Sequence, residues 1–383
     1  MRSKAPRRKY QICKRCVMDT SDPWIIFNKE GFCNHCSDFI EKRLPSITNH
    51  NGERRNLFKK FEEIKSQRKK GTSYDVLVGI SGGVDSSYAL LLAQKAGLKI
   101  LALHMDNGWD APIAIKNINK LIGLKGVDYK CEVLDWNNFK KVQRAFIESG
   151  LPDIELPTDI AIQSSINRFA IKYNIKTILA GGNISNEGIL PSSWMYNPRD
   201  SFFAESVIKK YGENLSIFKP IKYGFRDELA HRLFHRIKTL YPLNYINYDK
   251  EKAKKELKEE IGWQTPGEKH CESTYTRFCQ LIYQPKKNKI DYRRAHLSSD
   301  ICMNRCTREY ALKELNKDPW SKIDSESDIR FVAYKLNYTV QELNKIIKKS
   351  PLWYVDFSNR EMILGLAYDT YRLLTGRKKN TNF

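Results

Sequence analysis

The 383-residue sequence predicts an α/β protein: a doubly wound parallel sheet preceded by a metal-stapled N-terminal knuckle and followed by a helical C-terminal region. Three observations predict it. Apolar runs at 76–80, 100–105, 127–134 and 177–180 alternate with helical stretches at 86–96, 113–122, 139–147 and 160–173, as parallel strands with helical crossovers require. Two Cys-x2-Cys pairs lie ahead of that region. Beyond about residue 250 the periodicity is mainly helical, at 250–260, 307–315, 324–336, 340–349 and 360–373. The expected domains are 1–51, 52–250 and 251–383, with an amphipathic helix at 57–70 linking the first two through Phe58, Phe61 and Ile64. The basic stretch 284–294 reads as a loop between helices.

Composition sets the class. A 41% hydrophobic fraction with 20 Tyr, 17 Phe and 7 Trp argues for a folded chain and against disorder. The basic residues 1–11 are followed by no apolar signal core, and no window reaches the roughly 18 apolar residues of a spanning helix. A cytoplasmic protein without membrane insertion is expected. The formal charge of +22 suits a polyanion, a nucleotide-linked substrate or an acidic protein partner. The lysines are spread over many segments, so nucleic-acid binding is disfavoured but left open.

Nine cysteines in such a chain point to metal ligands or buried thiols rather than disulfides. Cys13-x2-Cys16 and Cys33-x2-Cys36 have the spacing of two knuckles closing a tetrahedral thiolate site. Structural Zn2+ is the favoured ion, with an iron-sulfur cluster left open. His35 is expected as a neighbour of that site. Cys131, Cys271, Cys279, Cys302 and Cys306 read as buried or incidental, with a second metal site at Cys302 and Cys306 as the residual alternative.

The 76–80 strand runs into Ser81-Gly82-Gly83-Val84-Asp85-Ser86-Ser87 and then an apolar helix. Glycines permit positive φ and close approach, and a helix N-terminus attracts an anion, so a phosphate fits there. A plain helix cap is the competing reading. The loop lacks the lysine of GxxxxGK[ST] and is a different phosphate device. At the second strand end, His104-Met105-Asp106-Asn107 is placed to frame a nucleoside, or is an ordinary strand-end loop. At the fourth, Gly181, Gly182 and Asn183 open a loop with Asn186 and Glu187, and Glu187 serves Mg2+, the substrate or solvent. Further on, Glu272, Thr276 and Gln280 share a helical face, whether toward solvent or a site. Arg277, Arg293, Arg294, His296 and Ser298 add anion-binding forks, a proton carrier and a hydroxyl.

The SGGxDSS loop resembles the PP-loop of the ATP-pyrophosphatases. That resemblance implies that Ser81, Gly82, Gly83, Val84, Ser86 and Ser87 grip the phosphates of ATP, while Asp85 positions Mg2+ or orients the loop. Over nearly its full length the chain also resembles the N-acetyl sugar amidotransferases of bacterial surface-polysaccharide and flagellin-sugar biosynthesis. The CVMDT run after the first knuckle, ISGGVDSSY, GGN, the ESxxTRxxQ-like helix and RRAHLSS carry it.

What it implies is adenylation of an oxygen on an anionic, free or UDP- or CMP-linked acetamido sugar, then displacement of AMP by ammonia to an acetamidino group or an amide. Asp85, Glu187, Glu272, Arg277 and His296 are the catalytic candidates, with Asn186, Thr276, Arg293, Arg294 and Ser298 on the substrate. No glutaminase domain is found in the sequence, so the resemblance also implies glutaminase and ammonia-channel partners similar to those of imidazole glycerol phosphate synthase. A tRNA-thiolating PP-loop enzyme is the runner-up, weakened because Cys131 stands alone in the sheet domain. A non-catalytic scaffold with a vestigial loop comes third.

Overall fold

The computed structural model describes residue 6 and residues 8–48, 54–68, 73–266, 272–318 and 324–375. The sequence-level role left open for Cys271 falls outside these residues. Five strands, β1 (Val76–Gly79), β2 (Ile100–Asp106), β3 (Val127–Val133), β4 (Thr177–Leu179) and β5 (Lys238–Leu240), form one sheet in the order β3-β2-β1-β4-β5. All neighbours are parallel. The chain steps outward from β1 to β3 and then crosses back to β4 on the other side. The topological switch point therefore falls between β1 and β4, where an open α/β sheet leaves a crevice beyond its strand ends.

Side chains alternate along β1 and β2, which settles both faces. Val76, Val78, Ile100 and Ala102 pack with the Val84–Lys95 helix, with Leu57 and Phe61 of the Arg54–Ser66 helix, and with Ala253 and Leu257 of the Lys250–Ile261 helix. Leu77, Leu101 and Leu103 pack on the opposite face with Ile166, Phe169 and Ala170 of the Leu156–Lys172 helix. The Val84–Lys95 helix is buried nearly all round, as its continuous apolar run requires. Strand β5 was not expected: it is three residues long, lies at the edge and carries no apolar run.

The C-terminal helices Arg308–Leu315, Ser325–Lys335, Val340–Lys348 and Glu361–Thr375 agree with their sequence periodicity. The basic stretch 284–294 is a correction. It forms the Gln284–Asn288 helix and opens the Arg293–Cys302 helix. The reason is capping: Lys287 Nζ donates to the carbonyls of Ile346 and Lys349, closing the end of the Val340–Lys348 helix, and Ile290 and Tyr292 are buried.

Two cores bind the regions together. Phe139, Phe146 and Trp109 of the α/β part share one with Tyr275, Phe278, Val332 and Leu343. The cysteine knuckle shares another with Ile184, Trp194, Ile290 and Ala295. Among the described residues no helix is long and apolar enough to cross a membrane.

Candidate active site

At the Ser81–Ser87 loop the helix N-cap is Gly83, in extended conformation and with no side-chain cap. The plain-cap reading therefore fails, and the first turn of the Val84–Lys95 helix presents the amide end that suits an anion. The carbonyl of Gly82 is pulled backward by two donors, Trp263 Nε1 and Asn117 Nδ2, both at 3.1 Å. Gly82 has φ +77°, and a Cβ there would lie 2.4 Å from the Ala114 carbonyl oxygen. Only glycine fits that turn. Ser81 Oγ and Ser86 Oγ lie 3.3 Å apart on the open side. Val84 is in the core and Ser87 is fully buried, so neither faces the opening. Asp85 accepts a hydrogen bond from Tyr248, and the charges of both Asp85 and Glu187 bear on that phenol. The two carboxylates thus converge beside the loop.

The opening leads into a cavity of about 540 Å3 at the switch point. Of the expected site residues, Ser81, His104, Gly181, Gly182, Asn183, Glu187, Glu272, Thr276 and His296 line it. Glu272 reaches the loop itself: its Oε1 lies 2.8 Å from where a Cβ of Gly83 would be. It is held there by backbone pairing of 272–274 with 109–111, in which Ala111 N donates to Glu272 O and Thr274 N to Trp109 O. The Glu272, Thr276, Gln280 face therefore looks into the cavity and not into solvent, and Gln280 sits in a π-helical turn, Cys279–Tyr283.

His104 Nδ1 lies 3.0 Å from the Ile80 carbonyl and Nε2 lies 2.9 Å from Asp110 Oδ2. Burial lowers its pKa, but the hydrogen bond and charge of Asp110 outweigh burial and raise it above the ordinary value. The folded state thus prefers the imidazolium. Its contribution is full below about pH 6.5, the unperturbed histidine value, and is lost as pH rises through the raised folded value. Asp110→Asn is expected to flatten that segment of the stability–pH curve, measured by urea unfolding from pH 5 to 9; an unchanged slope counts against the pair.

Four expected site residues are engaged elsewhere, and these are corrections. Arg277 makes a two-pronged ion pair with Asp328 at 2.6 and 2.7 Å. Arg293 pairs with Asp291 and donates to the carbonyls of Glu314 and Lys317, closing the Arg308–Leu315 helix. Arg294 pairs with Asp19 at 3.0 Å and Ser298 Oγ accepts from Val17 N, so both tie the knuckle to the C-terminal region. The guanidinium fork that suits a ligand carboxylate suits these internal acceptors equally. Asn186 stands behind the loop, its Oδ1 held by Arg305 and its carbonyl oxygen facing His296 Nδ1. Asp328→Asn is expected to cost about 2 to 3 kcal/mol of stability with KM for ATP unchanged, because the pair is buried on the aspartate side and off the cavity. A shifted KM would place Arg277 in the site after all.

Other cavity residues went unassigned from sequence: Arg43, Asp153, Glu155, Asp159 and Arg199. The acids in 153–159 stand in an otherwise apolar stretch, and that contrast was the available signal.

In the knuckle, the four Sγ atoms of Cys13, Cys16, Cys33 and Cys36 all lie within 4.8 Å of one another and are buried. The Cys13–Cys36 and Cys16–Cys33 separations are 3.8 and 3.5 Å. Metal–sulfur bonds of about 2.3 Å in a tetrahedron give edges of about 3.8 Å, so the donor set fits one ion. Amides of Arg15, Cys16 and Cys33 donate to Cys13 Sγ, as they would to a thiolate. His35 pairs with Asp22 and is a neighbour, as expected. Among the described residues, Cys302 and Cys306 form no second ligand group. The knuckle also builds the cavity: Arg43, on the π-helical turn after Cys36, lines it and donates to Gly188 O, while Phe39 packs on the Gly188 backbone.

Residues 74–145 match the tRNA methyl transferase HUP domain family, and residues 272–373 match the family described as LPS biosynthesis protein WbpG-like, C-terminal domain. Neither match spans half of the chain: the first takes in the glycine loop and the second the C-terminal helices. No curated protein sequence matches it as a relative. Similar solved structures include NMN synthetase from Francisella tularensis, at 15% identity and TM-score 0.29, covering 51% of this chain and 92% of that one. The NH3-dependent NAD synthetase from Campylobacter jejuni matches at 19% and 0.29, covering 48% and 85%. The U34-tRNA thiolase NcsA from Methanococcus maripaludis, with its [4Fe-4S] cluster, matches at 14% and 0.33, covering 86% and 89%. The WbpG-like domain supplies Glu272, Thr276, Gln280 and His296 to the cavity that the PP-loop opens into.

Proposed function

We propose that the chain is an ATP-dependent amidotransferase that adenylates an oxygen of an anionic acetamido sugar and replaces it with the nitrogen of ammonia. The observation that carries this reading is the shared cavity, with Ser81 of the glycine loop and Gly181–Asn183 on one side and polar side chains of the WbpG-like domain on the other. An amide or carboxylate oxygen is too poor a leaving group for ammonia to displace. Attack of that oxygen on the α-phosphorus of ATP expels pyrophosphate toward Ser81–Ser86, and ammonia then forms the C–N bond as AMP departs with the oxygen. Gly181, Gly182 and Asn183 would border the α-phosphate of the transferred adenylyl group, and the protein's part is positioning and charge stabilisation. Asp85 and Glu187 offer hard oxygen ligands that would hold Mg2+, which neutralises phosphate charge when bound.

The knuckle ion is assigned as zinc, held by four thiolates in a structural role. An iron cluster would show as visible absorption in freshly purified protein, and its appearance would overturn the assignment. Ammonia is assigned to partner glutaminase and channel subunits. Ammonium-supported turnover with no turnover on glutamine supports that assignment; efficient glutamine use by the isolated chain refutes it.

The thiolation reading needs a sulfur route, often a pair of catalytic cysteines near the sheet. Among the described residues no cysteine lines the cavity, and Cys279 is buried in the helical core. The deciding experiment incubates the full chain with ATP, Mg2+, ammonium chloride and UDP- or CMP-linked acetamido sugars. AMP formation together with the small mass loss of exchanging O for NH is expected, and AMP formation dependent on tRNA instead would overturn the reading.

A further inference from the structure

Asp153, Glu155 and Asp159 line one wall of the cavity, at the start of the Leu156–Lys172 helix. Asp153 accepts from the amides of Glu155 and Tyr196, at 3.2 and 2.8 Å. Glu155 accepts from the Thr276 hydroxyl at 2.5 Å. Asp159 has no side-chain hydrogen bond among the described residues, and the charged group acting on it is another acid, Asp153. No lysine, arginine or histidine is among the groups acting most strongly on any of the three. The other titratable groups facing them, Glu272, Tyr275, Cys279 and Tyr292, are not cationic at neutral pH, and the basic side chains lining the same cavity meet other groups: Arg43 pairs with Asp38, Arg199 with Glu228 and His104 with Asp110, and His296 Nδ1 lies against the Asn186 carbonyl. The first turn of the helix supplies a partial positive charge only.

Three cavity-wall carboxyls with no cation among the groups acting most strongly on them are costly to ionise. Burial accordingly pushes Asp153 up to about 7, and Glu155 and Asp159 up to about 8. Such a cluster on a cavity wall points to a cationic ligand. A second observation also indicates a ligand. Asn183, 4% exposed and lining the same cavity, has an amide Nδ2 without a partner, and so has the buried Thr158 Oγ1 between the acids. Buried polar atoms left open on a cavity wall are those a polar ligand satisfies.

We propose that Asp153, Glu155 and Asp159 form the ammonium-receiving end of the cavity, taking up NH4+ and delivering NH3 to the adenylated carbon. This rests on the amidotransferase reading above. The ion donates hydrogen bonds to the carboxylates and to Thr158, and one N–H proton passes to Asp159, leaving NH3 and a carboxylic acid. The freed lone pair forms the C–N bond. The C–O bond breaks, AMP leaves with the oxygen, and the nitrogen sheds one further proton to a second carboxylate. Raised carboxyl pKa values suit this, since a base nearer in strength to ammonia accepts its proton more readily. Asn183, a donor, faces the acceptor-bearing adenylate end.

The test compares thermal melting of the full chain in ammonium chloride and in sodium chloride of equal ionic strength, at about pH 8 where the trio ionises. Ammonium is expected to raise the melting temperature above sodium in the wild type, and Asp159→Asn and Glu155→Gln to abolish that difference. In turnover, both variants should raise KM for ammonium by about tenfold or more, with KM for ATP unchanged. An Asp159-dependent rise with magnesium chloride rather than ammonium would make this a divalent-cation site and overturn the proposal. Equal melting in the two salts, or a matching rise in KM for ATP, would also overturn it. If the wild type forms no AMP with ammonium and any acetamido sugar, the amidotransferase reading falls, while the melting comparison still decides whether the trio binds ammonium.

Discussion

Gly181→Ala is expected to lower kcat/KM for ATP on the order of 10²-fold or more while leaving a folded protein. A Cβ at 181 would lie 2.7 Å from the amide nitrogen of Ser86 and 2.8 Å from the carbonyl carbon of Asp85. Both are backbone atoms, so no side chain can rotate away. The β4 loop must back off from the phosphate loop, widening the switch-point crevice where Ser81 and Gly181–Asn183 face the same cavity. Overpacking of this kind costs about 1 to 3 kcal/mol, less than the stability of a chain this size. Catalysis should therefore fall much further than stability. AMP release measured beside a urea melt separates the two, and a variant with full ATP turnover would show that the two loops do not jointly hold the nucleotide.

Removing the knuckle ion is expected to have the second largest effect. Chelation leaves four clustered thiols, and Cys33→Ala three, in a segment with little apolar substance of its own, and binding free energy at such a site is folding free energy. The loss does not stay local. Arg308 donates to the carbonyls of Cys13 and Cys16, Arg294 pairs with Asp19, and Ser193 donates to Asp22. Through Phe39 and Arg43 the knuckle presses on Gly188, next to Glu187. A displacement of about 1 Å at that wall is enough to cost on the order of 10²-fold in turnover. Activity restored by zinc to the chelated wild type, but not to Cys33→Ala, is the expected result. Chelated protein with unchanged turnover and melting temperature would show that the knuckle is independent of the site.

Some of this was legible in the sequence because it is local. The phosphate loop is seven consecutive residues whose strand, glycines and following helix dictate one another's geometry, and the two Cys-x2-Cys pairs each specify a knuckle. The alternation of apolar runs announced a parallel sheet. Edge strand β5 was invisible for the opposite reason: Lys238–Leu240 has no pattern of its own and pairs because β4 is there to receive it. The arginines were harder still. Arg277, Arg293 and Arg294 carry a group equally fit for a sugar acid, a phosphate, Asp328 or a helix end, and nothing in their spacing distinguishes these partners.

By itself, then, the sequence determined the phosphate loop, the four-cysteine knuckle, the parallel sheet and the order of the regions, since each depends on neighbours a few residues away. Tertiary structure alone decided what the cavity is made of. It brings Arg43, Glu155, Gly181 and Glu272 to one wall system from segments far apart in the chain, and it turns the Glu272 face inward while turning Arg293 and Arg294 to structural work. Side-chain chemistry names what a residue can bind; packing settles which partner it meets and whether water is there to compete.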